Sequence, residues 1–295
     1  MRDLAAAQRV RRFDAVLAHN AEAALLALAA RWRGGPPVVY VAHTLWGEEL
    51  ASWFRVPAAR RVGAALDRAL ARRADAVLAL SEAAARAFAP HVRGPLARIA
   101  PGHTPEPALA PEAVAAVCAR HGLAPDGFAL YAGNLDRYQD LFVLEAAAAH
   151  DPALPLVVAT HAVRGPRLRK LRVIEVSSLE EMRSLVHGTA VALLPRRSRG
   201  GFPIKLLHFM DAGRAIVARA GVADGLVDGE SGWLLADAAG PEEFAAALRT
   251  LARDPALRAR LGAGARSAHA RHAWPARANE TLALVRAAIA RSKAR

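Results

Sequence analysis

At 295 residues with 54% hydrophobic side chains, the chain is long enough for one large core or two medium ones, and two lobes are expected. No apolar run reaches the roughly 18 residues that span a bilayer, and Met1-Arg2-Asp3 opens no signal-peptide hydrophobic region, so a cytoplasmic protein is expected. The lone cysteine, Cys118, rules out an intrachain disulfide framework and a cysteine-clustered metal site, and the histidines show no H-E-x-x-H spacing.

The net charge of +13 leaves nucleic acid, a membrane surface or an anionic substrate as partners. Arginines are scattered (Arg9, Arg11, Arg12, Arg258, Arg260), few aromatics lie between them and no nucleic-acid motif is present, so no nucleic-acid partner is expected. A peripheral contact at the inner membrane face remains open through Arg55, Arg60, Arg61, Arg68, Arg72 and Arg73, at about 1 kcal/mol per well-placed charge.

In chain order, a helix is expected over Leu4 to Arg12. Strands are expected at Ala15 to Ala18, Val38 to Ala42, Ala76 to Leu80, Phe128 to Ala132, Leu156 to Thr160, Arg172 to Val176, Ala190 to Leu194, Ala215 to Ala218 and Gly232 to Leu235. Most are followed by ten or more residues of helical periodicity, which is the alternation of an α/β protein with parallel sheets. The proline-rich run after Pro101 precedes a short helix over Glu112 to Arg120 and reads as a linker between lobes. A last helix beyond Trp274 carries Leu282, Val285 and Ile289 as a packing stripe. The first lobe opens without the strand that usually starts a doubly wound lobe, so it is expected to be incomplete.

Residues 195–236 carry the clearest chemical signal. Gly200 and Gly201 open a short helix with Pro203 in its first turn, Gly213 stops it, and a strand follows. Such a helix start presents unpaired N–H groups, and Arg196, Arg197, Arg199 and Lys205 add positive charge, so a phosphate or diphosphate is the expected ligand. Helical spacing puts Lys205 and His208 on one face, with Leu206 and Met210 in the core. In the first lobe His43 and His19 each follow a strand's C-terminal end, where open α/β sheets present ligand-binding groups. Ser81 reads first as a helix cap, and Glu48 and Glu49 as the solvated start of a helix.

Taken in order, AHN (18–20), VYVAHT (39–44), ADAVLALSEA (74–83), IAPG (99–102), YAGNLDRYQDL (131–141), GGFPIKLLHFMDAG (200–213), LVDGESGWLL (226–235) and HAWPARA (272–278) resemble the family-4 glycosyltransferases. These are two-lobed enzymes of the GT-B fold that move a sugar from a nucleotide donor with retention. The resemblance implies two Rossmann-like lobes: residues 1–103 on the acceptor side, 104–121 as linker, 122–271 on the nucleotide-sugar side, and 272–295 as a helix leaning back on the first lobe. It implies a hexosyltransferase-type enzyme with no metal or other cofactor, a nucleotide-sugar donor held between the lobes, and a glycan, glycolipid or small-molecule acceptor. His43 is the catalytic candidate. Asn134, Gln139, Arg196, Arg197, Gly201, Phe202, Lys205 and His208 are donor-side candidates, and His19, Thr44 and Ser81 face the acceptor or sugar.

The sequence departs from the family pattern at its charged positions. Gly200 and His208 stand where the family carries two glutamates, and Asn134 and Gln139 where it carries an arginine and a lysine. A non-catalytic nucleotide- or sugar-binding module, or a degenerate transferase needing a partner, is therefore the alternative.

Overall fold

The computed structural model describes residues 13–31, 35–54, 56–161 and 165–294. The helix expected over Leu4 to Arg12, with Arg9, Arg11 and Arg12, and the basic residue Arg55 lie outside them. The described residues form two α/β units, one within residues 13–102, 199–202 and 274–294, the other within residues 103–198 and 203–273.

In the first unit the elements are β1 (Val16–His19), α1 (Asn20–Ala30), β2 (Val38–Ala42), α2 (Trp46–Trp53), α3 (Pro57–Arg73), β3 (Ala76–Ala79), α4 (Glu82–Phe88) and β4 (Leu96–Arg98). The four strands pair in sequence order, all parallel. Both faces of β2 and β3 are covered, so their residues are apolar without alternation. On one face Tyr40, Ala42, Val77 and Ala79 meet alanines of α1, Leu70 of α3 and Phe88 of α4. On the other, Val39, Val41, Ala76 and Leu78 meet Ile99 and the last helix, α11 (Trp274–Lys293), through Leu284 and Ala288. Of the expected stripe, Val285 packs on this face and Ile289 is half-buried, but Leu282 is exposed, and Leu284 and Ala288 hold the core positions.

The second unit runs α5 (Pro111–Arg120), β5 (Ala129–Ala132), α6 (Leu141–Ala147), β6 (Leu156–Thr160), β7 (Arg172–Glu175), α7 (Leu179–Gly188), β8 (Val191–Leu194), α8 (Lys205–Asp211), β9 (Ala215–Arg219), β10 (Trp233–Leu235), α9 (Pro241–Arg253) and α10 (Pro255–His269). Helix α5 falls within the residues read as linker and packs by Val114, Val117 and Cys118 inside this unit. The parallel sheet has the order β10-β9-β8-β5-β6-β7. Strand order therefore reverses between β5 and β8, and in open α/β sheets ligands bind outside the carboxyl ends of the strands at such a switch point.

Helix α8 differs from its expected form. It has seven residues and begins at Lys205, with Ile204 in helical conformation before it and Gly200 and Gly201 in bends outside it. Gly213, at φ +63°, follows its end as expected. The helix start therefore lies beyond the glycines, and the backbone N–H groups of Arg199 and Gly200 already hold a carboxylate of the chain, that of Glu48.

Candidate functional site

The carboxyl ends of β5 and β8 bring three of the expected donor-side residues into one hydrogen-bonded chain. Lys205 Nζ donates to the Tyr131 hydroxyl at 2.6 Å and reaches Gln139 Oε1 at 3.3 Å. Gln139 Nε2 donates to Asn134 Oδ1 at 2.8 Å, and Asn134 Nδ2 donates to Asp136 at 2.6 Å and Tyr138 at 3.1 Å. The ammonium also lies 4.0 Å from the centre of the Tyr131 ring. Gly133 makes this arrangement possible: its φ is +137°, and a Cβ there would stand 2.5 Å from Lys205 Nζ. Burial, with the nearby Arg196 charge adding to it, pushes the Lys205 pKa down to about 7, and burial drives the Tyr131 hydroxyl upward.

Arg196 and Arg197, expected at the donor phosphates, are placed differently from each other. Arg196 stacks over Tyr138 at 5.1 Å and donates to the Ser198 carbonyl at 2.7 Å. Arg197 donates to Asp140 at 2.6 Å, and Asp140 also holds Arg219 at 2.9 Å. Arg219 is fully buried, donates to the Pro195 and Ala239 carbonyls, and so fastens the end of β9 to the residue after β8 and to the turn before α9. The expected role of Arg197 thus competes with a place in this ion network.

His208 lies one turn after Lys205, on the same face as expected, and both line a pocket of about 250 Å³ with Glu106, Gly133, His161 and Arg183. Leu206 and Met210 are fully buried, as their spacing implies. His208 Nδ1 is 3.2 Å from Glu106 Oε1, and Arg183 pairs with the other oxygen of Glu106. Behind it, His103 Nδ1 meets His269 Nε2 at 2.9 Å, and His269 Nδ1 lies 3.6 Å from Asp211. Burial lowers the proton affinity of both His103 and His269. Sequence reasoning missed this cluster because His103 and Glu106 sit in a proline-rich run that looked like a connector. Tyr131 was missed because it stands among the apolar residues of a strand.

In the first unit His19 Nδ1 and His43 Nε2 are 3.0 Å apart, at the ends of the paired strands β1 and β2. Burial lowers the His43 pKa first, and its neighbour His19 lowers it further. Both effects favour the neutral imidazole over the charged one. Thr44 directly follows His43 and is half-buried. Ser81 caps α4, accepting from the Ala84 N–H at 3.1 Å, and donates to the Arg199 carbonyl at 3.1 Å. Glu48, read as solvated, accepts instead from the N–H groups of Arg199 at 2.8 Å and Gly200 at 2.9 Å. Gly201 and Phe202 are buried beside this contact and belong with the same unit.

The family model described as Glycosyltransferase Family 4 matches residues 1–106, and the one described as Glycosyl transferases group 1 matches residues 128–254. No curated protein matches the chain by sequence. Among solved structures, a sucrose-phosphate synthase from Thermosynechococcus elongatus is 19% identical, with a TM-score of 0.75 over 96% of this chain and 75% of that one. The Anabaena protein HepE, solved with UDP, is 18% identical, with a TM-score of 0.75 over 96% of this chain and 81% of its own. A UDP-forming trehalose-phosphate synthase from Burkholderia vietnamiensis is 14% identical, with a TM-score of 0.68 over 97% of this chain and 75% of its own. At these identities the structures speak for the fold alone, and the two family models, matched in chain order, supply the rest. The chain belongs to the family-4-like glycosyltransferases of the two-lobed GT-B fold.

Proposed function

We propose that the chain transfers a sugar, of hexosyl type, from a nucleotide-sugar donor to a glycan, lipid-linked or small-molecule acceptor with retention of configuration. The observation that carries the reading is the Lys205–Gln139–Asn134 chain beside the switch point of the second sheet. A lysine there meets the donor's diphosphate as a point charge, and positive charge at a leaving phosphate is electrostatic catalysis. Asn134 and Gln139 stand where the family carries cations, and a phosphate would draw their amide N–H groups away from Asp136, Tyr138 and Asn134 Oδ1. Arg196 and Arg197 add charge from the end of β8, and His208 lies on the same face as Lys205. His43, neutral and steadied by His19, orients a sugar or acceptor hydroxyl with Thr44 and Ser81. The leaving phosphate oxygen takes the acceptor's proton, so transfer needs no metal or other cofactor. HepE was solved with UDP-glucose, and its likeness to this chain favours a uridine donor for the first trial.

The decisive assay is nucleotide release from a panel of UDP-, GDP- and ADP-sugars with candidate acceptors. Release from one donor, suppressed at least tenfold by both His43→Ala and Lys205→Ala, is the expected result. Binding without release across the panel favours a non-catalytic module, a reading that the neutral Asn134, Gln139 and Gly200 support. No binding at all overturns the donor assignment.

A peripheral membrane contact is also proposed. Trp53, Phe54, Val56 and Val62 are exposed where α2 gives way to α3, next to exposed Arg60 and Arg61. Aromatic and basic side chains in one patch suit an anionic lipid surface. Arg72 and Arg73 line a separate cavity with Arg31 and Arg93, so the basic residues of α3 do not act as one face. No described helix is long and apolar enough to cross a membrane. Sedimentation with anionic vesicles, lost in Trp53→Ser/Arg61→Ser and absent with neutral vesicles, is the expected outcome.

A further inference from the structure

We propose that His103, Glu106 and His208 form a binding site for one divalent transition-metal ion of the zinc class. One ligand atom from each residue lies within 4.8 Å of the others, and all three side chains are half-buried. The donor set of two imidazoles and a carboxylate is one that zinc takes with a further position open. Two atoms bound to zinc at about 2.0 Å and the tetrahedral angle lie about 3.3 Å apart. His208 Nδ1 and Glu106 Oε1 are already 3.2 Å apart. A ring nitrogen of His103 already lies within 4.8 Å of both, and the His103 and His208 rings meet edge-on with centroids 4.8 Å apart.

The surroundings match what holds a metal ligand in place. A ligating histidine usually donates its other ring N–H to a fixed acceptor. His103 Nδ1 faces His269 Nε2 at 2.9 Å, and Asp211 lies beside His269 Nδ1. With the His269 proton on Nδ1, directed at Asp211, His269 Nε2 accepts from His103 Nδ1, and the lone pair of His103 Nε2 is left for a metal. Arg183 fixes one oxygen of Glu106, and Asp211 accepts from the Glu106 backbone N–H at 2.8 Å, so the carboxylate is oriented toward His208 by its other oxygen. The ion would tie the segment 103–106 to α8, the helix that presents Lys205. The transfer reading makes no use of an ion, so the site goes beyond it; the two share His208, whose Nδ1 faces Glu106 and whose Nε2 is left for the donor.

The test is titration of chelator-stripped full-length protein with Co²⁺, followed by Zn²⁺ competition. One equivalent of Co²⁺ giving the intense visible bands of four- or five-coordinate cobalt, displaced by Zn²⁺, is expected. Glu106→Gln keeps the side chain's shape and should weaken binding at least tenfold, as should His103→Ala. His269→Asn, which among the three ligand residues hydrogen-bonds to His103 Nδ1 alone, should weaken it by about 10- to 100-fold. Zn²⁺ should raise the melting temperature of the wild type and leave that of Glu106→Gln unmoved. Absence of saturable Co²⁺ binding overturns the proposal. So does binding that survives Glu106→Gln but disappears in His19→Ala, which would place the ion on the His19–His43 pair. None of these readouts depends on sugar transfer, so the site stands or falls apart from that function.

Discussion

Lys205 is held in a position that favours its neutral form. Its ordinary pKa of 10.5 falls to about 7, so between those values the unfolded chain binds more protons than the folded one. Stability from this residue therefore rises with pH from about 7 to 10, and Lys205→Met should flatten that part of the urea-midpoint profile. A diphosphate arriving at the ammonium reverses the balance and favours the charged form. Donor binding at pH 8 should thus take up part of a proton, seen as a dependence of calorimetric binding heat on buffer ionisation, and Lys205→Met should abolish it. Gly200 offers a second test at this scale. A Cβ there would come within 2.9 Å of the Leu45 backbone nitrogen and Cβ and 3.3 Å from the Glu48 carboxylate. Restoring the family residue with Gly200→Glu should cost about 1–3 kcal/mol in chemical denaturation and yield no gain in transfer. The sequence displayed Lys205 and His208 because helical spacing aligned them. It hid Tyr131, Glu106 and Glu48, whose partners lie more than seventy residues away in the chain.

At the level of elements, apolar runs were reliable guides. Every expected strand is present within a residue of its expected ends, because buried parallel strands are nearly continuous Val, Leu and Ala. The strand β4 escaped notice: Leu96–Arg98 has three residues, no β-branched side chain and only partial burial. In α11 the expected stripe holds at Val285 and fails at Leu282, which is as apolar as Leu284, so that only the sheet decides between them. That helix completes a sheet face, so Leu284→Ala should lower stability by about 2–4 kcal/mol, whereas Leu282→Ala should change it by under about 0.5 kcal/mol. Thermal denaturation of the pair separates the two faces. Arg219 gives the corresponding test in the second unit. It is fully buried against Asp140 and two carbonyls, and Arg219→Met leaves the carbonyls unsatisfied and Asp140 with Arg197 alone, at a cost of about 3 kcal/mol or more.

For the molecule as a whole, the two-unit α/β plan was legible because strand and helix patterns alternate along nearly the entire chain. The assignment of segments to units was less so. Residues 199–202 lie between β8 and α8 of the second unit yet belong with the first, through Ser81 and Glu48. Such a long-range backbone contact leaves no periodic trace. The return of α11 to the first sheet has a consequence for how the protein is made. Val39, Val41, Ala76 and Leu78 emerge from the ribosome early, but their cover, Leu284 and Ala288, is translated some two hundred residues later. One face of the first sheet is thus left apolar and bare throughout synthesis of the second unit, a period of about 10–40 s at 5–20 residues per second. During that interval the nascent chain offers a hydrophobic surface to chaperones and to its neighbours on the same messenger.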